Sequence, residues 1–124
     1  MTAMLEPYYI VGFVDGEGTF NLVRYPGRRV RPQFLVFNTN KEILNSIKRT
    51  LGLNSPILEV VRVKDVIKRR KRMFRLQVRS KEDITKAAKF FDKNPPIIKK
   101  DDYKIFRKQF EKWKKDSESW NFRR

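Results

Sequence analysis

The stretch that decides the fold lies early in the chain, where residues 10–20 read Ile-Val-Gly-Phe-Val-Asp-Gly-Glu-Gly-Thr-Phe. Its first half is apolar on almost every side, which is typical of a helix buried against other elements. Gly12 and Gly16 stand four apart, so they share one helical face and leave a smooth strip that another backbone can approach. Asp15 and Glu17 then fall where the helix ends. Because carboxylates beside a buried helix are costly to desolvate, this pattern indicates either a polar Gly-rich turn after a core helix or a divalent cation site.

The nine residues 10–18 resemble the signature of the LAGLIDADG homing endonucleases. They match both outer glycines and both acidic positions of that signature, and Thr19-Phe20 resembles the strand entry that follows it. Val11 stands where the family has a small alanine, and Glu17 replaces the more familiar aspartate while keeping the carboxylate. Neither departure removes a group that the chemistry of the family needs.

The charge balance indicates a polyanion as partner. Thirty Lys and Arg against fourteen Asp and Glu give a formal net charge of +16. The excess is concentrated, because residues 18–41 contain no acid and residues 62–79 contain nine basic residues against one Asp. With 124 residues we expect one domain over residues 1–115, followed by a basic C-terminal tail over residues 116–124.

The absent residue types narrow the chemistry. Without histidine there is no imidazole base, and without cysteine there are no zinc fingers and no disulfides. A bound metal must then have oxygen ligands, which favours Mg²⁺, Ca²⁺ or Mn²⁺ and argues against zinc. The start of the chain lacks a signal-peptide pattern, and no apolar run approaches the ~20 residues of a membrane span. We therefore expect a soluble, intracellular protein of the cytoplasm or an organelle, with no membrane partner.

Hydrophobic periodicity predicts an α+β chain in the order helix, two strands, helix, two strands, helix, helix. The predicted elements are a helix at 7–17, strands at 19–25 and 29–37, a helix at 41–51, strands at 56–64 and 71–79, a helix after Ser80, and a last helix from Asp101-Asp102 to residue 115 with a frayed tail. Pro32 predicts an edge position or a bulge for the second strand.

Local residue patterns predict helix ends and core contacts. Asn40 and Ser80 are suited to N-caps, and Asp83 completes the pattern of a capping box with Ser80. Gly52 is suited to the end of the second helix. The aromatic residues of the last helix recur at helical spacing, so we interpret them as core rather than as a platform for stacked bases; they are Tyr103, Phe106, Phe110 and Trp113.

The resemblance covers nearly the full chain and implies the LAGLIDADG fold, α-β-β-α-β-β-α-α, whose curved antiparallel four-stranded sheet forms a DNA-binding saddle. Only one copy of the signature is present, and a single-motif chain of this family acts as a homodimer with its signature helices crossed. Close backbone approach at the glycine strip fits that arrangement. The expected dimer interface comprises Ile10, Gly12, Phe13, Asp15 and Gly16, with Val14 as a further apolar contact.

The resemblance also implies the catalytic residues. Glu17 is expected to bind Mg²⁺ together with the Gly16 backbone; Mn²⁺ is an alternative, and Ca²⁺ is expected to bind without supporting cleavage. Asn38 falls where the family places a polar residue that orders active-site water. A lysine before the last helix is expected near the nucleophile, and counting along the chain leaves both Lys99 and Lys100 open.

Strand faces that avoid the core carry the residues expected to contact DNA. Arg and Gln side chains on a two-stranded ribbon fit the major groove, whereas the run at 68–72 is suited to phosphates. The expected DNA-binding residues are Thr19, Asn21, Val23, Arg28, Arg29, Arg31, Gln33, Arg62, Lys64, Arg69, Arg70, Arg72, Arg75, Gln77 and Arg79.

The leading hypothesis is therefore a homodimeric, metal-dependent homing endonuclease that cuts both strands of a long, roughly palindromic duplex. Alternatives are a maturase that binds its host intron RNA, a catalytically silent DNA-binding regulator on the same scaffold, and a basic ribosome-associated protein with a coincidental motif. An intron or an intein is the expected genetic setting for a homing endonuclease.

Overall fold

The computed structural model describes residues 4–24, 26–27, 30–60 and 72–122, with backbone alone for residues 116–122. In chain order, the described elements are α1 (Pro7–Glu17), β1 (Gly18–Arg24), β2 (Val30–Asn38), α2 (Lys41–Leu51), β3 (Ile57–Val60), β4 (Met73–Val78), α3 (Lys81–Lys93) and α4 (Lys100–Phe122). This order confirms the predicted α+β sequence of elements. The predicted frayed tail differs, since α4 continues through residue 122.

The sheet has the strand order β1-β2-β4-β3, and each neighbouring pair is antiparallel. The predicted strand pairs are therefore both present, and β2 joins them by pairing with β4. Pro32 lies in β2, an inner strand, opposite Leu22 of β1. The pairing with β4 reaches only as far as Phe34 opposite Val78, so Pro32 has a strand neighbour on one side in the described pairing. The predicted edge position is therefore wrong for the strand, which is internal, although Pro32 itself lies beyond the stretch that pairs with β4.

An aromatic cluster forms the centre of the core between one face of the sheet and the helices. Phe20 of β1 lies with its ring centre 5.1 Å from each of Phe34, Phe91 and Tyr103, and 5.2 Å from Phe106. Edge-to-face and stacked pairs of this kind contribute about 0.5–1.5 kcal/mol each beyond their buried area. The interpretation of the α4 aromatics as core is confirmed, because Tyr103, Phe106 and Phe110 are buried and Trp113 packs against the cluster.

The predicted helix caps are present. The Asn40 side chain accepts the Ile43 N–H at 3.2 Å, and Gly52 ends α2 in the left-handed conformation with φ of 74°. Ser80 accepts the Asp83 N–H at 3.2 Å. The capping box is incomplete, however, because the Asp83 carboxylate accepts the backbone N–H groups of Asn54 and Ser55, and the Ser55 hydroxyl donates to it as well.

None of the helices in the described part of the chain combines the length and the apolar character needed to cross a bilayer.

Candidate functional site

Helix α1 passes into strand β1 without an intervening loop at Gly18. A Cβ atom added at Gly18 would lie 2.8 Å from the Val14 side chain and 3.0 Å from its carbonyl oxygen. The Gly18 N–H donates to that same carbonyl and closes the last turn of α1. Glycine is therefore required here by close approach, and the sharp junction leaves the preceding residue, Glu17, at the exposed end of the helix.

Glu17 presents an exposed carboxylate at this junction. Among the residues that the structure describes, none forms a hydrogen bond or an ion pair with that carboxylate. An unengaged carboxylate beside the end of a buried helix is available as an acceptor or as an oxygen ligand.

Asp15, the other acid of this segment, has a different role. It is only 8% exposed, and its carboxylate accepts the backbone N–H groups of Ile97, Ile98 and Lys99 at 3.0–3.2 Å. These three residues form the turn directly before α4. The carboxylate predicted in the dimer interface is thus engaged with a distant loop of its own chain.

The structure separates the two candidate lysines. The Lys99 ammonium donates to the Val14 carbonyl at 3.2 Å and also to the Gly18 carbonyl, so it lies at the end of α1 next to Glu17. Carbonyl oxygens at a helix C-terminus attract a cation. Lys100 is exposed and borders a separate groove of about 500 Å³ between α3 and α4. Of the two, Lys99 is the one that the fold brings to the junction.

Asn38 ends strand β2 at the same end of the sheet as the α1–β1 junction, since Val36, two residues earlier, pairs with Gly18. It follows the alternation of Val36 and so belongs to the helix side of the sheet. Its side-chain oxygen accepts the Asn40 N–H at 2.8 Å. The carboxamide is therefore held in place by the turn that follows the strand.

The outer face of α1 is open. Among the described residues, and apart from the adjoining backbone of α1 itself, a Cβ atom at Gly12 or at Gly16 would meet nothing within 4 Å, so packing among these residues does not require either glycine. Tyr8, which is 77% exposed, and Gly12 border an open groove of about 380 Å³ that extends to the loop before α4.

The apolar residues predicted at the interface differ in how far they are buried. Phe13 is half-buried and keeps part of its ring at the surface of α1. Ile10 is fully buried in the core of its own chain, as is Val14, so neither side chain lies at the surface of the single chain. Their apolar character reflects the intramolecular core, since they occupy the side of α1 opposite the glycine strip.

Several predicted DNA contacts share the face of the sheet that points away from the helices. The register places Asn21 opposite Gln33, and Leu35 opposite both Thr19 and Gln77, so these residues lie on that face. A chain of hydrogen bonds crosses it, from the Gln77 side chain to Gln33 at 2.7 Å and from Gln33 to Asn21 at 3.0 Å. Gln33 is only 5% exposed as a result. We call Asn21, Gln33 and Gln77 the carboxamide row.

The remaining predicted contacts are distributed more widely. Val23 and Arg75 lie on the same face as the carboxamide row, and the Arg75 Nε is buried without an acceptor among the described residues. Arg31 pairs with Val23 across the two strands, and its guanidinium lies 5.5 Å from the centre of the Trp113 ring of α4. Arg72 is exposed and 3.4 Å from a Glu59 oxygen, and Arg79 is exposed after the end of β4. Outside the described residues lie Arg28, Arg29, Arg62, Lys64, Arg69 and Arg70.

Sequence reasoning missed one feature near the site, an exposed apolar pair. Ile97 and Ile98 follow the Pro95-Pro96 break and are 79% and 78% exposed. An apolar doublet that belongs to no predicted helix or strand was the available signal. The pair lies on the loop held by Asp15, next to the open groove beside α1.

The described residues of one chain do not complete a metal site. Among the described residues, no group of three or more acidic, histidine or cysteine side chains converges. Glu17 supplies a single carboxylate, with the backbone of the exposed Gly16 next to it. These hard oxygen donors fit Mg²⁺ only if further oxygens come from outside the chain.

The chain matches the sequence profile described as LAGLIDADG endonuclease over residues 10–115. No curated protein sequence matches it significantly.

Solved structures share the fold. The homing endonuclease I-TnaI superposes with a TM-score of 0.67 at 24% identity, over 86% of this chain and 71% of that chain. The archaeal intron-encoded homing endonuclease I-Vdi141I, complexed with DNA, gives a TM-score of 0.67 at 26% identity, over 82% and 64%. The LAGLIDADG homing endonuclease I-GzeII, in complex with its DNA target, gives 0.73 at 27% identity, over 90% and 37%. The chain therefore spans less than two thirds of I-Vdi141I and less than half of I-GzeII.

Proposed function

The chain belongs to the LAGLIDADG endonuclease family, and from this premise we propose that it is a homing endonuclease that hydrolyses both strands of a long, roughly palindromic duplex DNA. The observation that carries the proposal is the exposed Glu17 carboxylate, unengaged within the described chain, at a helix end that also holds the Lys99 ammonium. The solved structures of I-Vdi141I and I-GzeII contain DNA, which supports a duplex as the substrate.

The active assembly in this proposal is a homodimer formed through the outer face of α1. The open strip at Gly12 and Gly16 permits close approach of a second backbone, and the exposed Tyr8 and Ile97 supply apolar surface beside it. A twofold axis through this strip brings the second Glu17 to the first. Each chain then contributes one carboxylate to a shared site.

Divalent metal ions are part of the proposal. Two Glu17 carboxylates at close range would repel each other, and a divalent cation such as Mg²⁺, held by their oxygens, would remove that repulsion. When bound, it would supply positive charge at the phosphate and lower the pKa of a water molecule. Mn²⁺ is expected to substitute, while Ca²⁺ is expected to support binding without cleavage.

The chain's own groups have separate tasks in this mechanism. Glu17 supplies carboxylate oxygens as ligands, and the Lys99 ammonium next to it stabilises negative charge that develops at the phosphate. Asn38, fixed through its oxygen by the Asn40 N–H, retains an amide NH₂ group to orient water. No covalent intermediate is needed, in keeping with a chain that has neither histidine nor cysteine.

The sheet face supplies sequence recognition in the proposal. Carboxamides pair in bidentate fashion with adenine edges in the major groove, and Arg pairs with guanine. Asn21, Gln77 and Arg75 are therefore expected to read bases, with the buried Gln33 holding the two carboxamides in place, while the exposed Arg72 contacts phosphate.

The decisive experiment is cleavage of a randomised duplex library in Mg²⁺ and in Ca²⁺, followed by sequencing of the cut ends. We expect cutting at one extended site in Mg²⁺ and binding without cutting in Ca²⁺. Glu17→Gln should abolish cleavage and retain binding, whereas Glu42→Gln, which changes an exposed carboxylate in the first turn of α2, should leave both unchanged.

Other outcomes would identify the alternative functions. Binding without cutting in every metal would indicate a silent DNA-binding protein. Displacement of the bound duplex by structured intron RNA at equal concentration would favour an RNA maturase. Full cleavage by Glu17→Gln would refute the role assigned to this carboxylate.

A further inference from the structure

The two acids of the signature segment differ in what surrounds them. Glu17 is exposed, whereas the Asp15 carboxylate is turned inward and makes four contacts of 3.0–3.2 Å with three consecutive backbone N–H groups, those of residues 97–99. The bonds join positions 82 to 84 residues apart in sequence. A carboxylate that accepts several backbone N–H bonds is held strongly, because charge-assisted bonds exceed neutral ones.

These N–H groups belong to the turn that leads into α4. The Tyr103 N–H donates to the Lys99 carbonyl at 2.9 Å, so Lys99 stands where the helix begins and its own N–H would otherwise lack a helical acceptor. A negative charge at this end also complements the helix dipole. One side chain therefore ties the end of α1 to the start of α4.

We call the bonds from the Asp15 carboxylate to the backbone of residues 97–99 the tether, and this tether also fixes the position of the Lys99 side chain. Asp15 holds the Lys99 backbone N–H, and the ammonium of the same residue contacts the carbonyls of Val14 and Gly18, on either side of Glu17. The loop has little apolar anchorage of its own beyond the buried Pro96, because the Ile97 and Ile98 side chains are almost fully exposed. Without these bonds from Asp15, the ammonium would lose its fixed place on the carbonyls of Val14 and Gly18.

We infer that Asp15 is a positioning residue: it holds residues 97–99 so that the Lys99 ammonium stays on the carbonyls of Val14 and Gly18, at the junction where Glu17 lies. This inference rests on the proposed endonuclease function. The first acid of the segment then acts through the lysine and the second acts directly, which gives the two acids separate contributions to one site.

A double-mutant cycle tests the inference, with single-turnover cleavage of the duplex site recovered from the library as the readout. Asp15→Asn places an NH₂ group against backbone donors, and we expect cleavage to slow about 10²-fold, the effect of ~1 Å misplacement of a reacting group. Asp15→Asn combined with Lys99→Met should be no slower than Lys99→Met alone. If the double variant were slower by the product of the two single factors, the inference would be overturned.

Asp83→Asn is the matched control. Asp83 is likewise a buried carboxylate that accepts consecutive backbone N–H groups, those of Asn54 and Ser55, but it lies at the start of α3. We expect it to lower stability while cleavage below its melting temperature stays within about twofold of the unmodified protein. Its effect should multiply with that of Lys99→Met. A Lys99→Met protein that cleaves at the full rate would overturn the inference and leave the proposed nuclease function standing.

A second measurement needs no cleavage of DNA. Amide hydrogen exchange of residues 97–99 in the unmodified protein should be protected although the Ile97 and Ile98 side chains are exposed, and protection should be lost in Asp15→Asn but kept in Asp83→Asn. Exchange of these amides at free-peptide rates would overturn the tether even if the protein cleaves DNA. Protected amides in a protein that cuts no duplex would count against the proposed function alone.

Discussion

Glycines in the signature segment serve different purposes, and Gly18 is the one that its own chain requires. Gly18→Ala would bring a Cβ atom to 2.8 Å from the Val14 side chain, a distance at which something must move. We expect a loss of about 1–3 kcal/mol in the free energy of unfolding, the usual range for overpacking. Urea titration of the two proteins measures it, and an unchanged midpoint would contradict the close approach at this junction.

Gly12→Ala should behave in the opposite way. Of the residues that the structure describes, none outside the adjoining backbone of α1 lies within 4 Å of the added methyl group, and alanine is the better helix former by about 0.5–1 kcal/mol, so a single subunit should become no less stable. The added methyl should nevertheless hinder the second backbone and weaken the dimer. Sedimentation velocity over a range of concentrations measures this effect; a dimer of unchanged affinity would exclude the glycine strip as the interface.

Because of the bonds that Asp83 accepts, we expect the free energy of unfolding to depend on pH. Burial by itself raises the pKa of this carboxyl, but bonds from the Ser55 hydroxyl and from the backbone N–H groups of Asn54 and Ser55, with the nearby Lys86, outweigh burial and lower the pKa. The stabilisation is therefore present above the ordinary aspartate pKa of about 3.9 and is lost as the pH falls toward the lowered value. Urea unfolding between pH 3 and 6 should show this loss, and Asp83→Asn should flatten it.

At this scale the sequence predicts what is local. The caps at Asn40 and Ser80 and the helix end at Gly52 follow from residues within one turn, and all three are present. The partners of Asp15 and Asp83 could not be predicted, because they lie 82–84 and 28–29 residues away and are backbone groups that any residue type supplies. For the same reason, counting residues along the chain could not show whether Lys99 or Lys100 lies near the end of α1.

Among the elements, the strands were predicted well because alternation marks their two faces. Phe74 and Leu76 of β4 alternate with Arg75 and Gln77, and the register places Gln77 on the face opposite the core. The end of α4 was predicted less well. The lysines at 112–115 complement a helix C-terminus, but no Gly or Pro follows them to stop the helix, and it continues to Phe122.

The sheet face makes a prediction that separates base contacts from phosphate contacts. Gln77→Ala should relax discrimination at one or two base pairs by about 1–3 kcal/mol and leave the salt dependence of binding unchanged. Arg72→Ala should weaken binding to all duplexes alike and reduce the salt slope by about 1. Binding titrations on variant duplexes at several salt concentrations distinguish the two, and identical behaviour of both variants would contradict the division of roles.

The whole molecule is defined first by its charge, which the sequence states directly. With a net charge of +16 and, by proposal, 6–10 phosphate contacts, duplex affinity should fall about 10³–10⁵-fold between 50 mM and 200 mM salt. Fluorescence anisotropy of a labelled duplex in Ca²⁺ measures this without cleavage. A nearly flat dependence would argue against a phosphate-gripping surface and in favour of a protein or small-molecule partner.

For the whole molecule, the sequence could not predict which side of α1 faces its own core and which side stays open to a second chain. Glu17 was assigned by resemblance, yet the side of α1 that remains open becomes evident only once Ile10 and Val14 are seen inside the core. The apolar pattern of the segment covers nearly the full circumference of the helix, so it cannot separate the intramolecular side from the outer side. The exposure of Gly12 and Gly16 in the structure identifies the outer side of the helix.

The early end of β4 has a consequence for solubility. Where β2 runs past Phe34 without a partner in β4, Pro32 and Gln33 are buried, but Arg31 is exposed and Val30 partly so, and backbone groups at an exposed strand edge can recruit stray strands and start fibrils. Pro32 withholds one donor in that stretch, and the Gln109 side chain occupies the Val30 carbonyl at 2.9 Å. Both features reduce strand-to-strand association at the stretch of β2 that lacks a β4 partner in the described pairing. Replacing Pro32 by valine would restore the missing N–H and leave only the Gln109 contact.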